Sequence, residues 1–159
     1  MEKYKFMKNF ALILISLSVI IFEATAHAQN KPQFFIDFRP LADSLGKAYD
    51  LPPCLILGVA YQESGGGTST VAKKLNNHFG IVGDCRYDIS KHQSKYRYYP
   101  SVLDSYIGFC KLVASKKFYS AMKGSDDVDL WLKKLSAAGY APSPKWPIAI
   151  SKIIKNYCD

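Results

Sequence analysis

The chain has 159 residues, of which 48% are hydrophobic and 21% charged, and its formal net charge at pH 7 is +8. It holds no internal repeats and no low-complexity segments, which excludes a repeat array and a disordered linker. A basic surface is often only a solubility device, but it also suits an anionic polymer such as nucleic acid, an acidic membrane or a carboxylate-bearing cell wall.

Residues 1–28 have the order of charged, apolar and small residues that is typical of a secretory signal peptide. Three lysines precede the apolar run at 11–22, and small residues follow it up to Ala28. The run is too short to span a bilayer, which takes about 20 residues. Cleavage after Ala28 would leave one domain at 29–159, with a net charge of +7 and no stable membrane anchor. We therefore expect an exported protein, periplasmic or secreted, with no nucleic-acid partner.

The first half of this domain shows helical patterns. Apolar residues recur at helical spacing over 34–49 and predict a helix that Pro40 breaks or bends. A second helix, about 53–63, is apolar on nearly all sides, as a central buried helix would be. A short third helix follows, with Thr68 or Ser69 as its N-cap.

The pattern changes at 79–99, where glycines and alternating aromatic and basic residues show no helical period. This segment predicts a small β-hairpin lobe. Helices then resume, with Ser101 and Ser125 as expected N-caps. Gly124 and Gly139 are expected to end two of these helices, and a last helix closes the chain. The sequence therefore predicts a mostly α domain with one small β-hairpin lobe.

Four cysteines would remain after export, and an even number in an oxidising compartment predicts two disulfides. Three pairings are open among Cys54, Cys85, Cys110 and Cys158. Metal binding is the rival interpretation, but the chain has no C-x-x-C motif and only two histidines after residue 28. We expect no metal and no cofactor.

Glu63 would be the only glutamate of the exported protein. It ends the apolar second helix and precedes three glycines, Gly65, Gly66 and Gly67. Burial and the negative end of the helix dipole both disfavour its charge, and a general acid must keep its proton. The glycines let the backbone approach a ligand closely. A helix C-cap followed by a surface loop is the plainer interpretation of the same stretch.

The longer stretch ESGGGTSTVAKKLNNHFGI, residues 63–81, resembles the signature of the glucosaminidases, glycoside hydrolase family 73. YRYYPSVLDSYIGFCKLV at 96–113 is similar to a second conserved segment of that family. LKKLSAAGYAPSPKWPIAISKIIKNY at 132–157 is similar to its closing helices. The resemblance covers residues 34–157 in order.

The resemblance implies a lysozyme-like helical fold that cleaves the β-1,4 bond between N-acetylglucosamine and N-acetylmuramic acid, with peptidoglycan glycan strands as the partner. Glycosidic cleavage needs a carboxylic acid that is still protonated near neutral pH, and Glu63 takes that role. Tyr140, in the segment GYAPSP, matches a tyrosine thought to line the catalytic centre of the family. The oligomeric state stays open.

The resemblance and the residue types also indicate a set of substrate-binding residues. They are Ser64, Gly65, Gly67, Asn77, His78, Phe79, Tyr96, Arg97 and Tyr98. Two consecutive asparagines after a helix are equally typical of a C-cap, which favours a structural role for Asn76 and packing for Phe79. Strand alternation lets only one set of the aromatic residues face a groove.

The second catalytic group is where the sequence departs from the family. Many members carry a further glutamate in the β-lobe, and this chain has none there. Asp84 and Asp88 are possible bases, and the 2-acetamido group of the substrate is the preferred alternative. A lytic transglycosylase and a non-catalytic wall-binding module are the rival functions. Self-remodelling and an antibacterial role remain equally open.

Overall fold

Seven helices account for most of the residues that the computed structural model describes, which are 31–83 and 95–158. They are α1 Gln33–Tyr49, α2 Pro53–Ser64, α3 Thr70–Leu75, α4 Val102–Ala114, α5 Tyr119–Met122, α6 Val128–Ala137 and α7 Trp146–Tyr157. The mostly α fold is confirmed, and Pro32–Asp159 is one structural unit.

Helix α2 lies in the middle of the core. Every residue from 55 to 60 is buried, and the helix packs against α1, α6 and α7. A buried leucine or isoleucine side chain stabilises a fold by about 1.5–3 kcal/mol, so Leu55, Ile56 and Leu57 make α2 the main apolar element. The expectation of a central buried helix is confirmed.

The contact between α2 and α7 is unusually close because α2 has a glycine there. A Cβ atom on Gly58 would lie 2.5 Å from Cγ1 of Ile154 and 3.0 Å from Cγ2 of Ile150. A disulfide joins Cys54, at the start of α2, to Cys158, just after the end of α7. The two helices are therefore antiparallel, and the end of α2 lies beside the start of α7.

Two details of the helices differ from the expectations. Helix α1 continues through Pro40 without a break, because Pro40 and Ile36 both lie on the exposed face, where water can bind the carbonyl that a proline leaves unpaired. The N-cap of α6 is Asp127, whose Oδ1 accepts a hydrogen bond from the Leu130 N–H at 2.9 Å. Ser125, the expected cap, instead accepts from the Asp127 N–H at 3.2 Å.

The prediction of two disulfides is wrong for Cys110. This residue is free and fully buried in α4, and burial raises the pKa of its thiol to about 12. A thiol enclosed by the core behaves as a small apolar side chain. Cys85 lies outside the described residues, so the disulfide between Cys54 and Cys158 is the one that the structure shows.

The predicted β-hairpin lobe is only partly within the described residues. Val82 and Tyr96 form an antiparallel bridge, flanked by hydrogen bonds from the Gly83 N–H to the Lys95 carbonyl at 3.0 Å and from the Arg97 N–H to the Ile81 carbonyl at 2.8 Å. No longer strand occurs in 31–83 or 95–158. The pairing that would begin a hairpin is present, and the hairpin stays a prediction.

Within the same two ranges, none of the helices combines the length and the apolar character that a bilayer crossing requires.

Removing the disulfide should weaken the fold without abolishing it. We expect the double variant Cys54→Ser, Cys158→Ser to unfold with a free energy lower by about 2–4 kcal/mol, because the bridge closes a long loop in the unfolded chain. Urea unfolding of both proteins measures the difference. Cys110→Ala is the matched control, because Cys110 is not in the disulfide. The free energies of unfolding of its oxidised and reduced forms should still differ by the same amount as in the parent. Equal urea midpoints for the double variant and the parent would contradict the prediction.

Candidate active site

The carboxyl group of Glu63 is held at the last turn of α2 by a side chain from α7. The indole N–H of Trp146 donates to Oε1 of Glu63 at 2.6 Å. Glu63 is half-buried and Trp146 is 7% exposed. The antiparallel packing of α2 and α7 brings together these two residues, which lie 83 positions apart in the sequence.

The environment of Glu63 favours its protonated form. Burial raises the pKa of Glu63 above its ordinary value, and the hydrogen bond from Trp146 acts in the opposite direction with a smaller effect. Burial penalises a carboxylate because water no longer solvates its charge. The group is therefore a carboxylic acid able to hold its proton at a higher pH than an exposed glutamate.

The second oxygen of the carboxyl group lies against a glycine. A Cβ atom on Gly80 would be 3.4 Å from Oε2 of Glu63 and 3.9 Å from Cε1 of Tyr96. Gly80 has φ +61°, a conformation that glycine adopts without strain. Gly80 therefore allows the backbone to pass close to Oε2, and the ring of Tyr96 also lies beside this glycine.

Tyr140 supports the same cluster from the loop before α7. Its ring lies 5.2 Å from the ring of Trp146, and its O–H donates to the carbonyl of Phe79 at 2.8 Å. Burial raises the pKa of Tyr140 well above its ordinary value, and the nearby charge of Glu63 raises it further. The phenol is therefore neutral, and its proton is directed at the backbone that precedes Gly80.

The glycine run turns the chain from α2 into α3. Gly65, Gly66 and Gly67 all have positive φ, from +59° to +79°. The hydroxyl of Ser64 donates to the carbonyl of Ala60 at 2.6 Å and accepts from the Gly67 N–H at 2.7 Å. Since Ser64 is fully buried, its side chain holds the turn and does not face a ligand.

Asn77 organises the backbone beside Glu63. Its side-chain amide donates to the carbonyls of Ile81 at 2.9 Å and Arg97 at 2.8 Å. Its Oδ1 accepts from the N–H groups of Phe79 and Ile81, each at 3.2 Å. Asn77 is 1% exposed, and these four bonds use its hydrogen-bonding capacity. The geometry gives Asn77 a structural role in place of the expected contact with substrate.

Two further residues that were expected to bind substrate have buried side chains. Phe79 stacks on Phe109 with ring centroids 4.3 Å apart. His78 lies between aromatic rings, including Phe34 at 5.8 Å and Tyr106 at 5.7 Å, and burial lowers its pKa. A side chain enclosed in this way cannot reach a sugar unless the core opens.

The other expected site residues differ in their position: some are exposed or half-buried, and some lie outside the described residues. Of the aromatic segment, Tyr96 has its Cε1 3.9 Å from the position of a Cβ on Gly80, and Tyr98 is half-buried. Arg97 is exposed, with its Nε 2.9 Å from the position of a Cβ on Gly83. Asp84 and Asp88, the possible bases, lie outside the described residues. Asn76 ends α3 with φ +52°, and its amide donates to the Tyr99 carbonyl at 2.9 Å, which fits the structural role favoured from the sequence.

Trp146 is the site residue that the sequence analysis missed. The segment GYAPSPKW contains it, and its indole N–H is a donor that needs a partner when buried. Trp131, the other tryptophan of the chain, donates to the carbonyl of Ser125 at 2.9 Å.

Among residues 31–83 and 95–158, no three histidine, cysteine or acidic side chains come together in a way that could hold a metal ion.

A carboxylic acid that retains its proton is the group on which hydrolysis of a glycosidic bond depends, and by its family match the chain is a glycoside hydrolase. Its residues 39–159 match the model of the glucosaminidase family, described as mannosyl-glycoprotein endo-beta-N-acetylglucosaminidase. The chain belongs to this family, which confirms the resemblance noted in the sequence. No protein with a curated function matches the chain.

Solved structures share the fold. A type VI secretion system effector–immunity complex from Pseudomonas protegens contains a chain that is 25% identical, with a TM-score of 0.63 over 79% of this chain and 89% of the other. The catalytic domain of the autolysin Auto from Listeria monocytogenes is 21% identical, with a TM-score of 0.65 over 79% and 83%. A peptidoglycan hydrolase from Sphingomonas sp. A1 is 21% identical, with a TM-score of 0.63 over 77% and 86%.

The structural role of Asn77 gives a direct prediction. Asn77→Ala should lower the free energy of unfolding by at least about 2 kcal/mol, because it leaves buried carbonyl and N–H groups without partners. The KM of the folded fraction should stay unchanged, since the side chain does not face the substrate. Asn156→Ala, on the exposed side of α7, is the control and should change stability by less than about 0.5 kcal/mol. A stable Asn77→Ala protein with a strongly raised KM would contradict the structural role and indicate that Asn77 binds substrate.

Proposed function

We propose that the protein is an exported peptidoglycan hydrolase that cleaves the β-1,4 bond between N-acetylglucosamine and N-acetylmuramic acid, with Glu63 as the general acid. One observation carries the proposal: the half-buried carboxyl group of Glu63 has a raised pKa and accepts a hydrogen bond from Trp146 at one oxygen. The peptidoglycan hydrolase and the autolysin of the same fold support the choice of substrate.

The proposed reaction begins with proton transfer from Glu63 to the glycosidic oxygen. That oxygen is weakly basic, so the bond breaks only when the proton is delivered as it breaks. Positive charge then develops at the anomeric carbon. Tyr140 already directs its proton at the Phe79 carbonyl, which leaves the lone pairs of its oxygen to interact with that charge. Tyr140 is the proposed second catalytic residue.

We propose that the nucleophile is the 2-acetamido group of the substrate. Glu63 is the only glutamate after residue 28, so a second glutamate cannot serve as base. Asp84 and Asp88 are the alternative, as a base that activates water. Substrate assistance displaces twice at the anomeric carbon and retains its configuration, whereas an activated water displaces once and inverts it.

Charge and the first 28 residues support the proposed location and substrate. The sequence of 1–28 has the pattern of a secretory signal, and the remaining chain has a net charge of +7. Peptide stems of the cell wall carry carboxylates, and a basic surface raises their local concentration. Tyr96, whose ring lies beside Gly80 as Oε2 of Glu63 does, is the aromatic residue we propose to stack on a sugar ring.

Glu63→Gln should abolish hydrolysis of purified peptidoglycan and leave the fold intact, because glutamine keeps the shape and loses the transferable proton. In the parent, mass spectrometry of the products should show N-acetylglucosamine at the new reducing ends. Anhydro products would indicate a lytic transglycosylase, and a Gln variant that keeps most of the activity would remove Glu63 from the mechanism.

The stability of the two proteins provides the control for folding. The unfolded pKa of Glu63 is near 4.5, and its folded pKa is raised above that value. The protein therefore loses the stability that comes from the protonated group as the pH rises through the folded pKa. The Gln variant does not titrate there. Above that pH we expect Glu63→Gln to be at least as stable as the parent in urea, and lower stability at neutral pH would contradict the burial argument.

The identity of the second group can be tested by two matched substitutions. If the acetamido group is the nucleophile, Asp84→Asn and Asp88→Asn should each lower kcat only modestly, whereas loss of a true base costs about 10²–10⁴-fold. NMR of the first-formed product should show the β-anomer. An α-anomer together with a collapse of kcat in one of the two variants would assign that aspartate as the base.

A further inference from the structure

We propose that Trp146 is a positioning residue that decides which oxygen of Glu63 carries the catalytic proton. The inference rests on the proposed function of Glu63 and adds a second residue to it. An indole N–H can only donate a hydrogen bond, and it donates to Oε1 at 2.6 Å. The carbonyl oxygen of a carboxylic acid accepts a hydrogen bond more readily than its hydroxyl oxygen does, so the donor at Oε1 favours the proton on Oε2.

The position of Oε2 fits this assignment. It lies on the side of Gly80, 3.4 Å from where a Cβ would be, and the ring of Tyr96 lies on the same side. Any other residue at position 80 would bring a side chain to that oxygen. Trp146 therefore directs the proton to Oε2, the oxygen that lies beside Gly80.

Trp146 is held rigidly enough to perform this function. It is the first residue of α7, its ring packs against Tyr140 at 5.2 Å, and it is 7% exposed. Further along, α7 is fixed to α2 by the close approach at Gly58 and by the disulfide. The donor and the acceptor are thus carried by two helices that cannot easily shift against each other.

The same hydrogen bond tunes the acid. Burial raises the pKa of Glu63, and the Trp146 N–H lowers it, because a donor stabilises the carboxylate that remains after proton transfer. Without the donor the acid would hold its proton to a higher pH but release it less readily. A change in Trp146 should therefore shift the pH profile as well as the rate, which a merely structural tryptophan would not do.

The first experiment follows the two indole N–H signals of ¹⁵N-labelled parent protein by NMR as the pH is varied. We expect one signal to titrate with a midpoint above 4.5 and to stay protected from hydrogen exchange below that midpoint. Protection there is expected when the proton is on Oε2, because Oε1 is then the carbonyl oxygen and remains a strong acceptor for the N–H. The titration should be absent in Glu63→Gln.

The signal of Trp131 is the internal control, because its N–H donates to the Ser125 carbonyl. It should not move over the same range. If neither signal titrates, or if the titrating N–H loses its protection when Glu63 is protonated, the proposal is overturned. This measurement uses the parent fold and needs no activity.

The second experiment compares Trp146→Phe with Trp131→Phe on soluble glycan strands. The first substitution keeps an apolar ring and removes the donor, so the alkaline limb of the kcat profile should move up by about one pH unit. The kcat should fall roughly tenfold with KM nearly unchanged. Trp131→Phe should lower stability and leave the limb in place.

The outcomes separate this inference from the proposed function. An active Glu63→Gln protein would defeat the general-acid assignment, whatever the indole signals show. An inactive Glu63→Gln protein together with an unchanged limb in Trp146→Phe would overturn the role of Trp146 alone. Where Trp146→Phe does not fold, the NMR titration of the parent decides.

Discussion

The packing of α2 against α7 governs both the stability of the core and the geometry of the candidate site. Gly58 removes the side chain that would hold the helices apart, and Ile154 fills the space in contact with the backbone. The disulfide fixes one end of the pair, and the hydrogen bond from Trp146 to Glu63 lies at the other. Because the helices are antiparallel, the apolar contact that stabilises the fold also places a donor at the carboxyl group.

The backbone on the other side of Glu63 depends on a second set of buried polar contacts. Asn77 binds four main-chain groups, and Tyr140 binds the carbonyl of Phe79. Buried hydrogen bonds of this kind fix one conformation, since an unpaired polar group in the core is costly. They hold Gly80 against Oε2. Asn77, whose polar side chain suggested a contact with sugar, thus fixes the backbone beside the carboxyl group instead.

Local patterns were sufficient for much of the fold. The spacing of apolar residues predicts the helices because a helix that packs on one side repeats its apolar positions every 3–4 residues, and the all-round apolar character of α2 correctly places it in the core. Ser69 and Ser101 cap α3 and α4 as expected. The Asp127 cap and the unbroken α1 were not predicted, because several residues near a helix end can cap it and the effect of Pro40 depends on solvent exposure.

The sequence by itself determined which acid stands out: a single glutamate after the signal-like segment, at the end of an apolar helix and before three glycines. The family signature around it could also be read without coordinates, as the match over 39–159 confirms. Only the tertiary structure decided that Trp146 binds Glu63, that Cys54 pairs with Cys158 while Cys110 stays free, and that Asn77 turns inward. The contacts of Trp146 with Glu63 and of Cys54 with Cys158 join residues far apart in the chain, and both depend on how closely α2 and α7 approach. That distance is set by packing in three dimensions, which no local pattern of residues encodes.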